Sequence, residues 1–99
     1  MKNIDFTNIE ELRTGFINYL KTQRNDVARP EIRAGNALFI ARNNIGISLE
    51  QVMTRSDGIP QAQKLLEEFW VKQGSRKNPR GNASTYAHDL RLLKEYLES

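Results

Sequence analysis

Apolar residues in the longer segments of this chain recur every three or four positions, a periodicity that points to helices packed on helices. Ile9, Leu12, Phe16 and Leu20 form one such stripe, flanked by Ile17 and Tyr19. Tyr86, Leu90, Leu93 and Leu97 form another, at the spacing of a bundle-facing surface. No stretch alternates apolar and polar residues for more than a few positions, so no strand is predicted.

The helices come with their own start and stop signals. Thr7 and Glu10 have the spacing of a capping box, in which hydroxyl and carboxylate satisfy free backbone N–H groups reciprocally, and the first helix is predicted over 8–22. Gly15, inside it, leaves room for a close helix contact. A second helix starts near Pro30, whose missing N–H costs nothing in a first turn, and closes at Gly46. Its predicted core contacts are Ile32, Leu38, Phe39 and Ile45. Ser48 and Gln51 make another capping box and open a short helix carrying Leu49, Val52 and Met53. A further helix follows Asp57 and Gly58, with Pro60 in its first turn, a stripe of Ala62, Leu65, Leu66, Phe69 and Trp70, and Gly74 at its end. Ser75–Asn82 reads as a polar turn, and the last helix is predicted to begin after Asn82. The expected fold is an all-α compact bundle of four main helices plus one short helix, a single domain over 1–99.

Composition narrows the function classes. A chain of 99 residues with 38% hydrophobic content builds one thin core and has little interior left for a deep substrate cavity. The absence of cysteine excludes disulfides and thiolate zinc sites and suits a reducing compartment. Neither a membrane-spanning run nor an apolar signal segment is present, and a cytoplasmic location is expected. His88 is the sole histidine, and its neighbour Asp89 projects about 100° away on a helix, so no pair is expected between them. No HExxH, GxSxG, P-loop or GxGxxG pattern occurs. The expectation is a domain without catalytic residues, metal or cofactor of its own.

The basic segments carry the functional signal, within a net charge of +3. Lys72, Arg76, Lys77 and Arg80 occur with no acid among them, just ahead of a helix start bearing Asn82, Ser84 and Thr85. Free N–H groups, the helix dipole, hydroxyls and cations together make a phosphate clamp, and contacts of that kind position a protein on DNA without reading bases. The plainer alternative is a polar turn with an ordinary N-cap. A second cluster, Lys21, Arg24, Arg29 and Arg33, surrounds the turn between the first two helices, with Arg29 and Arg33 one helical turn apart. Asp26 and Glu31 lie nearby, so part of this charge is expected in intramolecular pairs. Three consecutive apolar residues, Phe69, Trp70 and Val71, cannot all face one stripe. Trp70 or Val71 left outside could anchor a partner protein or another copy, unless it merely covers the rim of the core.

The segments Phe16–Leu20 (FINYL), Ile32–Ala37 (IRAGNA), Asn44–Ser48 (NIGIS) and Lys77–Pro79 leading to Ala83–Tyr86 (ASTY) resemble the helical N-terminal segment that precedes nuclease domains in bacterial restriction and phage-defence proteins. Ser84–Leu97 is also similar to one helix of the core-binding domain of tyrosine recombinases, although no counterpart of that domain's first-helix motif aligns here. The resemblance implies a DNA-binding or assembly module beside a catalytic domain, and it carries over no catalytic residue. The final helix, ending Tyr96–Ser99 without a stop residue and with Glu95 and Glu98 in its last turn, leads to the expectation that the chain is the N-terminal piece of a longer protein.

Overall fold

Local chemistry sets most of the helix ends in the computed structural model, which describes residues 4–99. Helix α1 spans Ile9–Gln23 and is capped by Asn8, whose side chain accepts from the Glu11 N–H while its amide donates to the Glu11 carboxylate. The reciprocal pair is thus one residue later than predicted: Thr7 instead bonds Asp5, and Asn8 caps better than threonine. The Ser48–Gln51 capping box forms as expected and opens α4, Leu49–Thr54, with Leu49, Val52 and Met53 buried. Helix α5 runs Gly58–Gln73 and stops at Gly74, whose φ of 65° lies in the left-handed region that glycine enters without a Cβ penalty.

Between α1 and α4 the single predicted helix is two. Helix α2 covers Pro30–Ala37 and α3 covers Phe39–Arg42, with a break at Leu38. On one straight helix Ile40 would lie about 120° around the axis from Ala34. The break lets both be buried, at 4% and 0% exposure. Ile32 is a correction: it is 46% exposed, because it faces away from the side of α2 that buries Ala34 and Ala37. Ile45 is buried and Gly46 has a φ of 101°, but both sit in the loop before α4 and close no helix.

Helix α6, Pro79–Glu98, is the centre of the bundle and contacts α5, α2 and α1. Leu90 and Leu93 are fully buried, and Leu97 nearly so. Ala83 and Ala87 on α6, with Ala34 and Ala37 on α2, are buried without residue, and side chains this small allow close helix approach. Gly15 does serve a close contact: a Cβ there would run into the Tyr96 hydroxyl of α6. The described residues form one core with a radius of gyration of 13.0 Å, the value of a compact domain this size. There is no strand among them, and no helix is long and apolar enough to cross a membrane.

Candidate nucleic-acid interface

The corner between α5 and α6 is held by an arginine turned inward. Arg76 lays its guanidinium over the Trp70 ring, 4.3 Å from the centroid, and 5.7 Å from that of Tyr86. Its Nη2 approaches the Tyr86 hydroxyl at 3.4 Å. Trp70, Tyr86 and Phe39 stack edge-on or tilted against one another at 4.9–5.6 Å. Arg76 is therefore the pin of this corner through cation–π contact, rather than a freely extended cation.

Lys72, Lys77 and Arg80 differ from it. All three are exposed, and none forms an ion pair with any described residue. From Phe69 to His88 the sequence contains no acid, and the acids nearest in sequence to Lys72 are Glu67 and Glu68, about one helical turn before it on α5.

Helix α6 starts four residues earlier than predicted, and this changes the clamp. The N-cap is Asn78, with Pro79 in the first turn. Asparagine followed by proline satisfies the start locally, which is why the helix absorbs half of the predicted turn. Pro79 has no N–H, that of Gly81 goes to the Asn78 side chain at 3.0 Å, and that of Asn82 to the Asn78 carbonyl. Only the Arg80 N–H is left open in that turn. Asn82 sits half-buried on the opposite side of the helix from Arg80, and the Thr85 hydroxyl donates back to the Gly81 carbonyl. Ser84 is exposed on the Arg80 side. Of the predicted clamp, Arg80 and Ser84 share one side of α6 and Lys77 is exposed just ahead of its N-cap, whereas Asn82 and Thr85 lie off that side.

The second basic cluster is largely neutralised within the fold. Lys21 pairs with Glu31 at 3.0 Å. Arg24 pairs with Asp26 at 3.1 Å and with Glu95 at 2.7 Å. Its hydrogen bonds to Asp26 and then Glu95 raise the guanidinium further above its ordinary range. Glu95 is held below the usual carboxylate range, first by the Tyr19 hydroxyl at 2.7 Å and then by Arg24. Arg33 is committed to Asp89, with Nη1 3.2 and 3.3 Å from the two carboxylate oxygens. Of this cluster Arg29 alone is exposed and without an ion pair among the described residues; its φ of 56° at the α2 N-cap lies in the left-handed region. Its carbonyl receives the Ile32 and Arg33 N–H groups. Arg33 is therefore not a free surface cation.

Sequence reasoning missed Asp89. It is fully buried, the one charged side chain so placed among the described residues, and also accepts from the Asn36 amide at 2.8 Å. The signal was present: its helical neighbours Tyr86, Leu92 and Leu93 are apolar, so position 89 falls within the buried arc. The exposed His88 brings Nδ1 to 3.5 Å from the same carboxylate, a marginal contact where none was expected.

The proposed apolar anchor is also corrected. Trp70 is 1% exposed, filled in by Phe39, Tyr86 and Arg76, whereas Val71 is 62% exposed beside a shallow groove lined by Ile45, Leu65 and Phe69. No protein-family model, curated protein or solved structure matches the chain.

Proposed function

We propose that this domain is a non-catalytic module that holds DNA by its phosphates through Lys72, Lys77 and Arg80 at the α5–α6 corner. The observation that carries the reading is a contrast within one molecule. Three of the four cations of the Lys21–Arg33 cluster have carboxylate partners, whereas those of the corner have none among the described residues. A fold that neutralises one basic cluster and leaves another open presents the second to an external polyanion. The pinning of Arg76 supports the reading, because it fixes the turn from which Lys77 and Arg80 project and so lowers the ordering cost of binding. The resemblance to segments preceding nuclease domains gives a setting, a bacterial restriction, defence or mobile-element protein in which a nuclease domain or partner protein supplies the chemistry. The competing reading, a protein-interaction surface around Trp70, loses its anchor to the core; Val71, one of two exposed large apolar residues with Ile32, is ordinary for a protein surface.

The test is a DNA titration over a range of salt concentrations with the parent and with Lys72→Ala/Lys77→Ala/Arg80→Ala. Each phosphate contact contributes about 0.9 to the slope of log affinity against log salt. Loss of three contacts should therefore flatten the slope by roughly 2.7 and weaken binding to all sequences alike. Thermal stability should stay within about 0.5 kcal/mol of the parent, since these are surface sites. Arg76 is excluded from the variant because its removal would loosen the corner itself. Unchanged affinity and slope would refute the proposal.

A further inference from the structure

Helix α6 is enclosed around much of its circumference, and its open side carries no acid before Glu95. Ala83, Ala87, Leu90 and Leu92 are buried, as is Asp89. At 3.6 residues per turn, the exposed positions Arg80, Ser84, His88 and Arg91 fall within an arc of about 80°. No acid lies on that arc before Glu95, which is already held by Arg24 and Tyr19; Glu98 follows it, exposed, at the end of the helix. Arg91, like Arg80, has no ion-pair partner among the described residues. The open cations of the corner thus continue along a straight, rigid row.

We infer that this arc of α6 is the track on which the domain lies across duplex DNA, in preference to a single strand; the inference rests on the phosphate-binding reading above. Two further observations select the duplex. First, none of the eight aromatic residues is exposed, all being buried or half-buried. Phe39, Phe69, Trp70 and Tyr86 pack together, as do Phe16, Tyr19 and Tyr96. Single-strand binders gain much of their affinity by stacking unpaired bases on exposed rings, and this surface offers none. Second, Arg80 and Arg91 are about 16 Å apart along the axis, at a rise of about 1.5 Å per residue. With the reach of their side chains they span a groove roughly 12 Å wide, the major groove of B-form DNA. The corresponding groove of A-form RNA is narrow, and its phosphate ridges match that separation poorly. Because α1, α2 and α5 flank α6, the contact is with the two ridges and not with the groove floor, so the binding reads no bases.

The experiment compares, by fluorescence anisotropy at matched salt, a short DNA duplex, one of its strands alone and an RNA duplex of the same sequence. Duplex DNA should bind roughly tenfold tighter than the single strand and more tightly than the RNA duplex. Arg91→Ala should lower the salt slope on duplex DNA by about 0.9. Ser84→Glu, which places an acid in the middle of the arc, should weaken duplex binding more than tenfold, and both variants should melt as the parent does. Equal or tighter binding of the single strand or the RNA duplex, or an unchanged slope with Arg91→Ala, overturns the assignment while leaving phosphate binding at the corner intact. Absence of binding to all three ligands removes both readings together.

Discussion

Removing Arg33 tests the electrostatics of the interior. Arg33→Ala takes from Asp89 the cation bonded to both carboxylate oxygens, leaving a fully buried anion with the Asn36 amide at 2.8 Å and the marginal His88 contact. Breaking a buried pair by deleting one partner costs about 3–5 kcal/mol. The Arg33 side chain is 23% exposed and the Asn36 bond survives, so water can partly replace the guanidinium and the lower end, about 3 kcal/mol, is expected. In a domain this size that corresponds to a fall of roughly 12–24 °C in Tm. The companion variant Arg33→Met/Asp89→Leu should lie near the parent or above it, since an apolar pair of similar size avoids the desolvation cost. The Arg33 Nε favours this outcome, being buried without a hydrogen-bond partner among the described residues. Urea unfolding followed by circular dichroism measures all three proteins. A cost below about 0.5 kcal/mol for Arg33→Ala, or a double variant as damaged as the single one, would refute the reasoning.

Gly58→Ala should destabilise by about 1–3 kcal/mol despite alanine's better helix propensity, because a Cβ at Gly58 would overlap the Val52 carbonyl, backbone that cannot swing aside; a Tm at or above the parent's would contradict that contact. Glu95→Gln should remove a component of acid sensitivity. The folded-state carboxylate is held low by Tyr19 and then Arg24, so it stabilises the fold above the ordinary carboxylate range and loses that contribution as pH falls through the lowered value. Parent and variant stabilities should converge in acid, and a constant difference from pH 3 to pH 7 would show that Glu95 is not coupled to folding.

The sequence by itself determined the elements whose causes are local. A capping side chain and its helix are three residues apart, and a buried stripe repeats every three or four. For that reason the Ser48–Gln51 box, the stop at Gly74 and the leucine face of α6 were legible without coordinates. Where two local signals competed, neighbouring residues decided: Asn8 displaced Thr7, and the Asn78–Pro79 start claimed residues that otherwise read as turn. Only the tertiary structure could decide which cations are available. Arg24 meets Glu95 across 71 residues and Arg33 meets Asp89 across 56, so spacing along the chain holds no trace of either pair. The same holds for Trp70, whose burial depends on Phe39 and on Arg76 folding back over it. Charge pairing and side-chain burial are set by which helix faces meet, and that is settled only when α6 takes its place among α1, α2 and α5.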